Sequence, residues 1–95
     1  MTEEYLDPII VGEVICHFRK KRKLSQEVVS GLADIGRTHL SAIERGERKP
    51  TLETLYRISL SLEVKMSEIV AKIEYLLERK KTKRHLVRWR LLQGF

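Results

Sequence analysis

Residues 24–50 read LSQEVVSGLADIGRTHLSAIERGERKP and decide the fold of this chain. Ser25 is suited to the N-cap of a helix over about 25–33, because a hydroxyl there accepts a backbone N–H from the first turn. A second helix is predicted over about 37–45, and Gly46 ends it as a left-handed C-cap. The stretch therefore predicts two short amphipathic helices that are joined by a tight turn.

Three further helices are predicted around this pair. Asp7 followed by Pro8 is typical of a helix start, and helix 1 is predicted to run to about Arg22. Thr51 is suited to cap helix 4. Apolar residues at helical spacing predict the buried face of each helix. These faces comprise Val11, Val14, Ile15 and Phe18 in helix 1, Val29, Leu32 and Ala33 in helix 2, Leu40 and Ile43 in helix 3, and Leu52, Leu55, Ile58 and Leu62 in helix 4.

Helix 5, predicted over about 67–78, carries an apolar face that is wider than the end of a small bundle needs to cover. We interpret this face as the surface of a homodimer, and burial in the chain's own core is the competing interpretation. The residues of the face are Ile69, Val70, Ile73, Leu76 and Leu77.

Length and charge indicate one helical domain with a basic extension. The 95 residues suffice for a single core, so residues 1–78 are predicted to form one domain and residues 79–95 a tail. The net charge of +6 favours an anionic partner. Period-2 alternation over 87–91 is compatible with a short strand, and helix continuation is the alternative. The DNA backbone, an acidic protein or membrane, and a second chain are all open as partners of the tail.

Several classes of function have no support in the sequence. A single cysteine, Cys16, excludes an intramolecular disulfide and fits a cytoplasmic protein. No apolar run is long enough to cross a membrane, and the acidic N-terminus is unlike a signal peptide. Cys16 and the three histidines lack the spacing of metal ligands, so we expect no metal and no cofactor. No catalytic motif is found, so we expect no enzyme.

The predicted outer face of helix 3 carries polar residues where a DNA-binding helix needs them. A helix in the major groove presents its first turn and its exposed positions to the base edges. Arg37 can bind guanine in a bidentate manner, and Thr38 can offer a hydroxyl or a methyl group. Ser41 and Ala42 share this outer face and are also assigned to base contacts, and His39 is assigned to the DNA backbone. The sequence therefore predicts sequence-specific binding of double-stranded DNA.

Three linked motifs make the chain resemble the lambda-repressor and Cro-like helix-turn-helix family, also named for the xenobiotic-response-element regulators. The motifs are LSQE at 24–27, RTHLSAIERG at 37–46 and PTLETL at 50–55, and the resemblance covers residues 11 to about 69. Within the family, the second motif is most similar to the controller proteins of restriction-modification systems, and phage-type repressors share much of it. The resemblance implies a homodimeric regulator of transcription on a palindromic operator.

The resemblance also implies two kinds of DNA contact. Base contacts are implied for Arg37 and Thr38, and a thymine-methyl contact at most for Ala42. Backbone contacts, which fix register without carrying sequence information, are implied at the start of helix 2 and in the loop after helix 3. The residues of these backbone contacts are Ser25, Gln26, Arg45, Arg48 and Lys49.

An ion pair between Arg19 and Glu44 is a further implication of the resemblance, and it would tie helix 1 to the recognition helix. Three of the chain's departures from the family's pattern lie at turns and helix ends. Asp34 and Glu63 stand where glycine is usual, and Gly36 stands where a serine or threonine usually caps helix 3. Aspartate tolerates the left-handed region and glycine is an acceptable N-cap, so the turn is expected to form.

A protein-interaction module is the alternative function. In this interpretation the chain is an antitoxin or an adaptor, and its basic tail binds an acidic partner. Sequence preference separates the two hypotheses, because Arg37→Ala abolishes it only if helix 3 reads bases.

Overall fold

The computed structural model describes residues 5–80, and these residues form five α-helices and no strand. The predicted all-α, five-helix architecture is confirmed. Helix 5 continues past the predicted domain boundary at residue 78, and the predictions for the tail from residue 81 onward lie outside the described residues. In chain order the helices are α1 (Pro8–Lys21), α2 (Gln26–Ala33), α3 (Arg37–Glu44), α4 (Leu52–Ser61) and α5 (Met66–Lys80).

Side-chain caps fix the starts of three helices. The Asp7 carboxylate and the hydroxyls of Ser25 and Thr51 each accept an N–H from the first helical turn, at N···O distances of 2.9, 3.1 and 3.1 Å. Each bond satisfies a backbone donor that has no partner inside its helix. All three predicted N-caps are confirmed.

The core forms where the five helices meet. α2 packs mainly on α4, while α1 packs on both α3 and α5. The predicted stripe of α1 is confirmed, since Val11, Val14 and Ile15 are buried and Phe18 packs against the core from its edge. The largest side chains with almost no exposed surface are Ile15, Leu40, Ile43, Ile58, Leu62 and Ile69.

Three expectations about which face is buried were wrong. Leu32 and Leu52 are 66% and 71% exposed, although helical spacing predicted both to face inward. Helices of two or three turns offer more than one apolar stripe, and the packing partner decides which stripe is covered. Ala42 is 8% exposed, not on the outer surface. Ala42 adjoins the completely buried Ile43, and a single methyl group extends too little from the helix to reach past the covered face.

Two of the five residues predicted for a dimer face on α5 are buried in the core of the chain itself. Ile69 and Ile73 are 0% and 4% exposed within one chain, so neither can lie in a contact with a second copy. Leu76 and Leu77 are partly buried against the same core. Val70 is the one exposed residue of the five, at 36%. The face is wide because α5 closes the core beside both α1 and α4.

Gly12 allows α1 to approach the end of α3 closely. A Cβ atom at this position would lie 2.3 Å from the carbonyl oxygen of Ile43 and 2.6 Å from that of Glu44. Both distances are far inside van der Waals contact, and both neighbours are backbone atoms that cannot rotate away. Gly12 therefore sets the spacing between α1 and α3.

Candidate nucleic-acid interface

The connection between α2 and α3 is a tight turn that orients α3. Asp34 adopts the left-handed conformation, with φ 57° and ψ 47°, and the N–H of Ile35 donates to the carbonyl of Ser30 at 3.0 Å. Gly36 is the N-cap of α3 and makes no side-chain hydrogen bond. The turn forms with aspartate in the place of glycine, as predicted, and α3 begins without a side-chain cap.

Arg37 and Thr38 occupy the first turn of α3 with their side chains exposed. Within residues 5–80 neither side chain takes part in a hydrogen bond or an ion pair. On the opposite side of the same helix, Leu40 and Ile43 are completely buried and fix its orientation. The helix therefore presents a guanidinium and a hydroxyl from a rigid support, which is the geometry that contact with base edges requires.

Arg45 is engaged with other residues of its own chain. Its Nε and Nη2 donate to the two carboxylate oxygens of Glu47 at 2.8 and 3.0 Å, and its Nη1 donates to the Ser41 hydroxyl. The bond from Arg45 holds the pKa of Glu47 below its ordinary value. Arg45 and Glu47 are exposed, so a phosphate can compete for the guanidinium. Glu47 has no place in the sequence prediction for Arg45, although an acid two residues from Arg45 was a usable signal.

Arg19 and Glu44 form the ion pair that the resemblance implies. Arg19 Nε and Nη2 donate to the two carboxylate oxygens of Glu44 at 2.6 and 2.9 Å, and the side chains are 11% and 5% exposed. The third nitrogen, Nη1, donates to the carbonyl of Leu24 at 2.9 Å. The pair thus joins the end of α1 to the end of α3 and to the corner before α2.

Gln26 extends this pair to the start of α2, because its Nε2 donates to Glu44 Oε1 at 2.9 Å. Burial raises the pKa of Glu44, but the hydrogen bonds from Arg19 and Gln26 together outweigh it, and the net pKa lies below the ordinary value. The amide of Gln26 keeps its oxygen and a second N–H for other partners. The link from Gln26 to Glu44 was not predicted, since the three residues are distant in the chain and no spacing signals their contact.

Four other residues are predicted from the sequence to contact the DNA backbone. Arg48 and Lys49 are exposed in the loop after α3 and have no ion pair within residues 5–80. His39 is half-buried on α3. The Ser25 hydroxyl already accepts the N–H of Val28 as a cap and keeps its own O–H to donate.

In the part of the chain from residue 5 to residue 80, no cluster of three or more His, Cys, Asp or Glu side chains is arranged to hold a metal ion. Over the same range, no helix has the length and apolar character to cross a lipid bilayer.

The relatives found by comparison with known proteins are named as a transcriptional regulator, a control protein and a repressor. The Helix-turn-helix family model matches residues 17–69 of the chain. The HTH-type transcriptional regulator y4dJ of Sinorhizobium fredii is 36% identical over 61 residues, which cover 64% of this chain and 79% of that protein. The control protein C.MunI of a Mycoplasma species is 39% identical over 56 residues, covering 59% and 76%. The immunity repressor of Bacillus phage phi105 is 38% identical over 60 residues, which cover 63% of this chain and 42% of the repressor.

Solved structures agree with these relatives. The restriction-modification controller protein C.AhdI from Aeromonas hydrophila matches with a TM-score of 0.65 at 26% identity, covering 68% of this chain and 98% of that protein. A tyrosine-to-phenylalanine variant of the controller protein C.Esp1396I matches with a TM-score of 0.73 at 26% identity, covering 84% and 100%. The chain belongs to the lambda-repressor and Cro-like helix-turn-helix family of DNA-binding transcription regulators.

Proposed function

We propose that the chain is a homodimeric repressor or controller-type regulator that recognises a palindromic operator through Arg37 and Thr38. The observation that carries this proposal is the state of the two side chains, which are exposed at the start of α3 and unpartnered within residues 5–80. The buried Arg19–Glu44 pair holds the far end of the same helix. A reading helix needs such support, because a bidentate contact tolerates little movement.

The mechanism follows from the placement of α3 in the major groove. Arg37 donates two hydrogen bonds to a guanine, and Thr38 contacts the neighbouring base. Gln26, Arg48 and Lys49 bind phosphates on either side and fix the register of the helix. Ser25, His39 and Arg45 also contact phosphates. Arg45 releases the Glu47 carboxylate when it binds a phosphate. The protein bound to an operator at a promoter then blocks or recruits RNA polymerase. This takes place in the cytoplasm, where the bacterial chromosome lies.

The two-fold contact of the dimer is placed on α4 in this proposal, because the apolar face of α5 is used by the core. Leu52, Tyr56 and Leu60 recur every four residues and form one exposed stripe along α4. The ion pair of Glu53 with Arg57 flanks the stripe and supplies both signs of charge. A two-fold axis brings each charge near its opposite in the second copy, so this surface is self-complementary. Pairing then spaces two recognition helices for half-sites about 34 Å apart.

A binding selection on random duplexes tests the proposal. The purified protein should enrich one palindromic site, and Arg37→Ala should lose about 1–3 kcal/mol of discrimination at one position of each half-site. Gln26→Ala should weaken all sequences alike, because a phosphate contact carries no sequence information. Lys72→Ala on α5 is the matched control, since it removes an exposed positive charge from a helix that packs on α1 and α4.

Two results would refute the proposed roles. A selection that enriches no sequence removes the regulator hypothesis and leaves the adaptor as the better account. Equal loss of affinity for all sequences with Arg37→Ala assigns Arg37 to the DNA backbone and removes its reading role.

A further inference from the structure

The corner between α1 and α2 has an unusual backbone. α1 ends with the N–H of Lys23 donating to the carbonyl of Lys20 at 2.9 Å and the N–H of Leu24 donating to that of Arg19 at 3.2 Å. This closure places Lys23 in the left-handed region with φ 60°. Glycine is the usual residue there, because a side chain makes the conformation costly. Lysine offers no local hydrogen bond that would compensate, as aspartate or asparagine would.

Charge at the same corner is unbalanced. Lys20, Lys21 and Lys23 are exposed, and within residues 5–80 none of them forms an ion pair. Arg22, between them, is occupied by an ion pair with Glu63. Lys20 and Lys21 have an ordinary explanation, since cations at the end of a helix interact favourably with its dipole. Lys23 lies beyond the helix, so the helix dipole does not explain why a lysine occupies this costly left-handed position.

The position of the corner relates Lys23 to the predicted DNA surface. Lys23 is two residues from the N-cap Ser25 and three from Gln26, which we assign to the DNA backbone. The corner is held rigidly against the interface, because Arg19 Nη1 binds the Leu24 carbonyl while its other nitrogens bind Glu44 of the recognition helix. A lysine stem of four carbons extends the reach of this surface past the start of α2.

We propose that the α1–α2 corner is an additional DNA-backbone contact, in which Lys23 binds a phosphate adjacent to the one held at the start of α2. This inference rests on the proposed DNA binding and adds a residue outside the helix-turn-helix. Lys23 is exposed at this corner, so its ammonium group is accessible to a phosphate, and the contact is independent of base sequence. Lys23 therefore trades stability of the fold for affinity.

Three substitutions at this position separate charge from backbone strain. Lys23→Gly removes both the charge and the strain, Lys23→Gln removes the charge alone, and Lys23→Arg keeps both. Lys72→Gln is the matched control, because Lys72 is an exposed lysine on α5, which packs on α1 and α4. Lys23→Gly, Lys23→Gln and Lys72→Gln each lose one positive charge, so an effect of net charge alone would be equal in all three. Lys23→Arg keeps the charge.

Binding to a duplex of mixed sequence is measured by fluorescence anisotropy between about 50 and 200 mM salt, where each phosphate contact contributes about 0.9 to the slope of log K against log salt. Lys23→Gly and Lys23→Gln should each lower the slope by about 0.9, which corresponds to an affinity loss of about eightfold at 0.1 M salt. Lys23→Arg and Lys72→Gln should keep the wild-type slope. Lys23→Gly should also raise Tm, so weaker binding occurs in a more stable protein.

Unchanged slopes for Lys23→Gly and Lys23→Gln would overturn this inference, and so would an equal reduction for Lys72→Gln, which would indicate net charge alone. Either result leaves the proposed function intact if the wild type still selects one sequence. Absence of a preferred sequence, with the Lys23 slopes reduced as expected, would refute the operator proposal and keep the phosphate contact.

Discussion

Removal of the Glu44 carboxylate is the most informative perturbation of the fold beneath the interface. Glu44→Ala leaves the guanidinium of Arg19 in a site where the side chain is 11% exposed, and it removes the acceptor of two Arg19 bonds and one Gln26 bond. Removing one partner of a buried ion pair costs about 3–5 kcal/mol. Because a small domain is stable by only about 5–15 kcal/mol, this variant should lose a large share of its stability.

Two companion variants separate the pair from its surroundings. Glu44→Gln keeps the volume and one acceptor oxygen, so it should cost less than Glu44→Ala. The double variant Arg19→Met with Glu44→Leu replaces both charges by apolar groups of similar size. It should stay within about 1 kcal/mol of the wild type, since burial of an intact pair gains little over good packing.

The dependence of stability on pH gives an independent check. The folded-state pKa of Glu44 lies below the ordinary value of 4.5, so its contribution is complete above that value and is lost as the pH falls through the lower folded-state pKa. The advantage of the wild type over Glu44→Gln should therefore be constant from neutral pH down to about 4.5 and shrink only in stronger acid.

Urea unfolding followed by far-UV circular dichroism measures all of these differences. A loss below about 1 kcal/mol for Glu44→Ala would place the pair among ordinary surface ion pairs and contradict its buried role. A double variant that loses as much as Glu44→Ala would show that the charges themselves, not their mutual compensation, stabilise the fold.

Three other substitutions test separate features. Gly12→Ala should destabilise the chain by at least about 1–3 kcal/mol in urea unfolding, because its Cβ would lie 2.3 Å from a backbone oxygen of α3. An unchanged free energy of unfolding would mean that α1 can shift away from α3 without cost. Asp34→Gly should stabilise by up to about 1 kcal/mol by relieving the left-handed turn, with an unchanged or lower Tm as the contrary outcome. Tyr56→Glu on α4 should dissociate the dimer in sedimentation equilibrium. Tyr75→Glu on α5 is the control and should leave the dimer intact, since Tyr75 is 52% exposed and Tyr56 is 51% exposed. Equal behaviour of the two variants would remove α4 as the interface.

The features that sequence predicted correctly are those fixed by local chemistry. Asp7, Ser25 and Thr51 cap their helices because a short polar side chain at a helix start meets N–H groups a few residues away. Asp34 forms the left-handed turn for an equally local reason. The stripe of α1 could be predicted because a helix of 14 residues repeats its apolar period often enough to define one face.

Features that depend on packing could not be predicted in this way. Leu32 and Leu52 belong to short helices in which apolar residues outnumber the buried positions, so the partner helix decides which are covered. Gly12 approaches Ile43 across the fold, and nothing in its neighbourhood in the chain signals this contact. The Arg19–Glu44 pair followed from the resemblance and not from any spacing. Base and phosphate contacts stay predictions, because the fold exposes the side chains without specifying the DNA.

The most direct measurement of the central claim compares wild type and Arg37→Ala in a selection on random duplexes. The account predicts one enriched palindromic site for the wild type, with the preference at one position of each half-site lost in the variant and much of the non-specific affinity kept. Enrichment of the same site by both proteins would contradict the claim that Arg37, held on a helix braced by Glu44, reads the operator.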